Sequence, residues 1–318
     1  MTLLHDQTQT TQPKSAANTQ PGTALTTTIE NQPMVIARRL RFSAAHLYNS
    51  QSLSEKENLE TFGACYSRYG HGHNYVLEAF VSGPIDPITR LVMNIADLDR
   101  ILKNAVEPLD HHHLNYDVLE FRDIVPTTEN IGAYLRQRIA ALLVPHTALK
   151  LERIRLFETE DLWVELTERP PVASGPRFEL TREVVIRSIH HLENTQLTPE
   201  QNREIYGICY GKHGHNYRIQ VTVVAELDPV SGMIFDRDRL DRILDASVVT
   251  PLDGMNLNEI FPNTSCEALA RSLFLRIAPV FPPGVLCRIG VQETLKNYFE
   301  FPPSGVEVAG VPATDSPS

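Results

Sequence analysis

The sequence predicts an α+β chain built from two tandem β-β-α-α-β-β modules, each an antiparallel sheet with both helices on one face. Three observations predict it. Landmarks in the first half recur in order in the second. Period-two apolar runs flank each repeat unit. Between them lie two segments with helical spacing.

The repeat is the strongest of the three. Ser43-Ala-Ala-His-Leu-Tyr-Asn49 aligns with Ser188-Ile-His-His-Leu-Glu-Asn194 after one register adjustment. His71-Gly-His-Asn-Tyr75 recurs as His213-Gly-His-Asn-Tyr217, Pro108-Leu-Asp110 as Pro251-Leu-Asp253, and Glu158-Thr159 as Glu293-Thr294. The offsets run from 135 to 145 residues with the order preserved.

In the first unit, Val35 to Ala45 alternates as a strand and leads into a long polar loop. A second strand covers His73 to Ser82, and Gly83-Pro-Ile-Asp-Pro87 turns the chain. Leu98, Ile101, Leu102, Ala105 and Val106 mark one helical face, with Asp97 as cap. Thr127 or Thr128 caps a second helix carrying Ile131, Leu135, Ile139 and Leu142. Two strands follow, from about Lys150 to Glu158 and from Leu162 to Thr167. The second unit predicts strands near 178–189 and 215–227, helices near 238–248 and 265–278, and strands near 285–293 and 297–301.

The 318 residues, 42% hydrophobic, suffice for two cores. Residues 1–33 are rich in Thr, Gln, Asn and Pro and read as a disordered tail, as does 302–318. The modules fall at 34–168 and 177–301, with a Pro/Gly-rich linker at 169–176. A net charge of −10 argues against a nucleic-acid partner. No apolar run reaches the roughly 18 to 20 residues that span a bilayer, and the N-terminus lacks a secretory pattern. Four cysteines do not make a disulfide scaffold and read as reduced thiols, so a cytoplasmic protein is expected.

Chemistry concentrates in the histidines. His71 and His73 are two apart on a strand, so both imidazoles face one side. His46 ends the strand expected to pair with it. Three neutral imidazoles leave a fourth position open, the pattern of a catalytic rather than a structural zinc site, although imidazole also suits other first-row metals. His191, His213 and His215 are the expected second set, with His190 adjacent to the first of them.

Around this metal set lie further candidates, each with a plainer reading beside it. Cys65, six residues before His71, is a base activated by a nearby cation or a buried structural thiol. Cys209 holds the equivalent place, four residues before His213. Asp110 beside His111 is an orienting carboxylate with an acid–base imidazole, or part of a solvated loop, or an alternative metal site. Glu158 ends an apolar strand, where a carboxylate grips a guanidine-like edge with two hydrogen bonds or simply meets water. Thr127, Thr128 and Glu129 open a helix, which capping alone explains.

Ser-Ala-Ala-His, Cys-x5-His-Gly-His-Asn-Tyr, Leu-Asp-His, Thr-Thr-Glu-Asn and Phe-Glu-Thr, in that order, resemble the 6-pyruvoyl-tetrahydropterin synthase family. The resemblance covers 34–168 closely and 177–301 more loosely. It implies the tunnelling fold (T-fold), in which three modules close a twelve-stranded barrel, two such rings stack, and sites lie between neighbouring modules. It implies 7,8-dihydroneopterin triphosphate as substrate and zinc on His46, His71 and His73. It implies Cys65 as general base, Asp110 and His111 as its partner pair, Glu158 as pterin anchor, and Thr127, Thr128 and Glu129 as pocket lining. Triphosphate elimination with internal redox, on the way to tetrahydrobiopterin, is the implied reaction. Related enzymes instead make 6-carboxy-tetrahydropterin for deazaguanine (queuosine) synthesis, often with a Cys-x3 spacing; Cys65 has the longer spacing and Cys209 the shorter. A non-catalytic pterin- or zinc-binding protein is the other alternative.

The second unit departs from the pattern. Its Leu-Asp-His position reads Leu252-Asp-Gly254, and Thr-Thr-Glu-Asn reads Thr264-Ser-Cys-Glu267. It is therefore expected to bind metal but to turn over poorly. If each ring takes three modules, one chain places one module in each ring, and three chains form a homotrimer.

Overall fold

The computed structural model describes residues 32–168 and 175–302. The expectations for residues 1–33, 169–176 and 302–318 lie largely outside them. The first unit runs β1 (Met34–His46), α1 (Glu55–Phe62), β2 (His71–Gly83), α2 (Ile95–Val106), α3 (Thr128–Leu143), β3 (Lys150–Thr159) and β4 (Leu162–Thr167). The second runs β5 (Arg177–His190), α4 (Pro199–Tyr206), β6 (His213–Val224), α5 (Arg237–Leu244), α6 (Cys266–Ile277), β7 (Leu286–Thr294) and β8 (Asn297–Phe301).

The chain is the expected α+β tandem repeat, with one addition per unit. α1 and α4 interrupt what reads as polar loop. Each starts with a capping box: Ser54 with Glu57, and Thr198 with Gln201. That serine–glutamate spacing is the sequence signal the apolar periodicity cannot carry, because these helices bury little. The cap of α2 is Asn94, not Asp97, and that of α3 is Thr127.

All eight long strands join one sheet in the order β1-β2-β3-β4-β5-β6-β7-β8, with a two-residue strand, His112–His113, beside β1. β4 pairs antiparallel with β5, from Leu162 opposite Arg182 to Thr167 opposite Arg177. This hydrogen-bonded seam overturns the placement of one module in each of two rings: the two modules lie side by side. The homotrimer arithmetic loses its footing with it.

One face of the sheet is covered by the helices. Tyr75, Leu77, Ala79 and Val81 of β2 and Ile154 and Leu156 of β3 are buried there beside Leu98 and Leu102 of α2 and Ile131, Leu135 and Ile139 of α3. Each leucine, isoleucine or valine among them contributes about 1.5–3 kcal/mol when fully removed from water. The opposite face carries ladders of opposite charge, Arg39–Glu78–Arg155–Glu165 and Arg177–Glu179–Arg288. All of these but Glu78 line a groove of about 1320 Å³. Alternation along each strand thus sets an apolar, helix-covered side against a wet one. No helix among the described residues is long and apolar enough to cross a membrane.

Candidate active site

Strand register assembles the first cluster. His46, the last residue of β1, lies opposite His71, the first of β2. His73 follows two residues on, so it shares the helix-covered face with Tyr75. The His46 ring is fully buried, and its Nδ1 donates to the Pro126 carbonyl at 2.8 Å. That bond fixes the tautomer and leaves the Nε2 lone pair aimed inward. Nε2 of His46 and Nε2 of His71 are 3.1 Å apart. Two imidazoles on one tetrahedral zinc would hold their nitrogens about 3.3 Å apart. The His73 Nε2 is buried, 3.3 Å from Glu158 Oε1, and makes no hydrogen bond among the described residues. One ligand atom from each of His46, His71, His73 and Glu158 lies within 4.8 Å of all the others. Burial brings His46 down to about 3 and also lowers His71 and His73. The rings are therefore neutral, the form that ligates a metal.

The second cluster repeats the first, with one correction. His190, not His191, meets His213 and His215, and Glu293 completes the group within the same 4.8 Å. His190 ends β5 opposite His213, as His46 ends β1 opposite His71. Its Nδ1 is 3.1 Å from the Thr264 carbonyl, and its Nε2 is 3.1 Å from that of His213. His191 matches Leu47: the Asn258 side chain accepts from the His191 backbone N–H, as Asn115 accepts from that of Leu47. Its ring turns to Glu193 at 3.4 Å.

Glu158 is buried at the end of β3, and the group that holds it comes from the other module. Arg237, at the start of α5, donates to both carboxylate oxygens, at 2.7 Å to Oε1 and 2.9 Å to Oε2. Its Nη2 also donates to Thr128 Oγ1 at 2.6 Å, and its guanidinium lies 5.1 Å from the Tyr48 ring centroid. Thr128 in turn donates to Glu158. Burial alone would raise the Glu158 carboxyl; the charge and hydrogen bonds of Arg237 overrule it and hold the group well below the usual range.

Thr127, Thr128 and Glu129 gather here as expected, and all three are fully buried. Thr127 caps α3 and donates to the Gly232 carbonyl at 2.5 Å. Glu129 Oε1 accepts from the Ile234 backbone N–H at 3.1 Å, and burial pushes its carboxyl up. Module two therefore supplies backbone partners as well as Arg237.

Cys65 ends a short turn after α1 and packs with Tyr48, Phe62, Val125 and Met233. Its carbonyl accepts from the Tyr48 N–H at 3.3 Å, which ties the cysteine loop to the segment after His46. Burial pushes the Cys65 thiol up, with Arg237 pulling the other way.

Asp110 and His111 lie elsewhere. They pair with each other at 2.8 Å, and the His111 side chain is 80% exposed. Asp110 Oδ1 also accepts from the Ser43 N–H, which fixes the loop to β1. His111 sits at φ 61°, a conformation that disfavours side chains, and its counterpart Gly254 sits at φ 75°. The second module thus has the relaxed residue where the first holds an exposed imidazole.

Sequence reasoning missed Arg237. The signal was available in the repeat: Asp86-Pro-Ile-Thr-Arg90 and Asp228-Pro-Val-Ser-Gly232 form the same turn, which puts Arg237 where the first module has Ile95.

The family model for 6-pyruvoyl tetrahydropterin synthase matches residues 35–169 and again 179–304. The chain belongs to that family. The human 6-pyruvoyl tetrahydrobiopterin synthase is 42% identical over 127 residues, which is 40% of this chain and 86% of the relative. A dihydroneopterin monophosphate aldolase from Pyrococcus furiosus is 34% identical over 131 residues, 41% of this chain and 95% of the relative. The solved structure of the Caenorhabditis elegans synthase is 33% identical, with a TM-score of 0.39 over 41% of this chain and 91% of that one. The protein is thus a pterin synthase-type enzyme with two copies of the family fold.

Proposed function

We propose that this synthase converts 7,8-dihydroneopterin triphosphate into 6-pyruvoyl-tetrahydropterin with loss of triphosphate, and that each three-histidine cluster holds zinc. One observation carries the reading: three neutral imidazoles converge beside a buried carboxylate, and a reactive residue type, Cys65, lies in the loop tied to the same strand end. The donor set suits zinc, being three nitrogens with a fourth position to spare. When bound, the metal would polarise the side-chain hydroxyls of the substrate and so acidify the neighbouring carbon.

The protein's own groups supply the rest. Glu158 accepts two hydrogen bonds from the guanidine-like edge of the pterin, with Thr128 beside it and Thr127 and Glu129 holding the pocket wall. Cys65 takes the proton from the acidified carbon. Asp110 and His111 are the second proton-handling pair, and their exposure means that a neighbouring copy must bring them to a site. We propose accordingly a cytoplasmic homo-oligomer, in which the outer edge of β1, before its Ala44–Ala45 pairing with His112–His113, and the outer edge of β8 pair between copies. A light-scattering mass equal to one 35.8 kDa chain would exclude it.

The test is incubation of the zinc-loaded chain with 7,8-dihydroneopterin triphosphate and mass analysis of the released pterin, for wild type and Cys65→Ala. A pyruvoyl pterin from wild type alone supports the proposal. A carboxy pterin replaces it with the 6-carboxy reaction, the product that the short Cys209 spacing favours. Unchanged substrate despite bound zinc makes the protein a non-catalytic pterin or zinc binder.

A further inference from the structure

The first site holds a group that none of the assignments above uses. Arg237 makes with Glu158 the paired contact that a pterin's guanidine-like edge would make: two N–H donors to the two carboxylate oxygens, at 2.7 and 2.9 Å. It is planar, it lies 5.1 Å from the Tyr48 ring centroid, and its side chain is only 12% exposed. The space left between Tyr48, Phe62, Cys65, Met233 and Arg237 is about 10 Å³. That is roughly the room one water needs, so no bicyclic ring fits beside the guanidinium.

The arrangement is particular to this one site. At the same turn of the first module the residue is Ile95, which is exposed. In the second cluster, Glu293 is met among the described residues by His190, His215, Asn297 and the Cys266 thiol, with no arginine or lysine at ion-pair distance. The carboxylate expected to anchor a pterin is therefore clamped by a cation in the module with the complete set of chemical groups, and free of one in the module that has lost its histidine at Gly254.

We propose that Arg237 is an internal competitor for the pterin. The second module's guanidinium fills the anchor place at Glu158, and the first site accepts a pterin only when Arg237 swings out. The inference rests on the reading of Glu158 as pterin anchor. A ligand that needs the open form binds with an affinity reduced by the fraction of protein that is open. Pterin therefore loads the second site first, and whatever draws Arg237 away, such as an anionic group on the substrate, controls the first.

The experiment uses the zinc-loaded full chain and neopterin as probe, titrated by calorimetry, with melting curves to confirm folding. Wild type is expected to show one tight and one weak site. Arg237→Ile, which installs the first module's residue, tightens the weak site at least tenfold and leaves the other unchanged. Adding Glu158→Gln to that variant abolishes the gain. A weak site that is unaffected or further weakened by Arg237→Ile overturns the proposal while leaving the pterin reading intact. If neopterin binds neither wild type nor Arg237→Ile at any site, the pterin reading itself fails and takes the proposal with it. Should Arg237→Ile not fold, a crystal of wild type soaked with neopterin decides. Pterin at the first site with the Arg237–Glu158 pair intact refutes competition; pterin there with Arg237 displaced, or pterin at the second site alone, supports it.

Discussion

Replacing Gly232 by alanine should dismantle the first site without touching a ligand. Gly232 has φ 72°, where an L side chain is strained by about 1 kcal/mol or more. A Cβ there would lie 2.3 Å from Asn130 Nδ2. That amide is committed to the Val125 carbonyl at 2.8 Å, so its retreat gives up a hydrogen bond of about 1 kcal/mol. The shift also pulls the Gly232 carbonyl from Thr127, whose hydroxyl both caps α3 and donates across the module boundary. Weakening that cap costs about another 1 kcal/mol. The expected loss is therefore about 3 kcal/mol, read as a fall in the thermal midpoint of several degrees. The matched control is Arg90→Gly at the equivalent turn, φ 61°, which relieves strain at the price of unfolded-state entropy and should leave stability nearly unchanged. Melting of both variants by circular dichroism is the assay. If Gly232→Ala melts within about 0.5 kcal/mol of wild type, the account of how module two buttresses the α3 cap is wrong.

Three further outcomes follow from the same geometry. Zinc per chain, measured by atomic spectroscopy after dialysis, should fall from two to one in His46→Ala and in His190→Ala and stay at two in His191→Ala; loss of metal in the last would restore the register expected from sequence. Asn58 is buried and holds the loop between His46 and Cys65 by accepting from Ser50 N and donating to the carbonyls of Ser50, Leu53 and Ser54. Asn58→Ala should cost about 1–3 kcal/mol by stranding those groups and expose residues 47–58 to protease; unchanged cleavage kinetics would count against it. The Arg187 side chain and N–H hold the Asp253 carboxyl down from 3.8 to about 2. A depressed carboxylate contributes stability that is present above its ordinary value and lost as pH falls through the folded one. Asp253→Asn should thus melt below wild type near neutrality, with the gap closing between pH 3.8 and about 2; a gap independent of pH would refute the assignment.

Much of the site was legible because it is local. His71-Gly-His73 reads as a metal pair since strand parity alone puts both rings on one face. Thr127 to Glu129 sit where the helix-start signal places them, and Glu158 ends the strand it was expected to end. The miss at His190 has the same origin as the success. Matching Ser43 with Ser188 fixes an offset of 145, whereas the hydrogen-bonded register pairs His190 with His213 at an offset of 144 from His46. One residue of slip turns every side chain to the other face, and two adjacent histidines hide the slip.

Sequence by itself determined the duplicated α+β unit, the three imidazoles of the first module and the carboxylate beside them, because each rests on periodicity within a segment. Tertiary structure alone decided that the two modules share one sheet through β4 and β5, and that Arg237 of one enters the site of the other. The second of these joins residues 79 positions apart, Glu158 and Arg237, and for the first no repeat or spacing within a strand encodes which edge strand a neighbour will find.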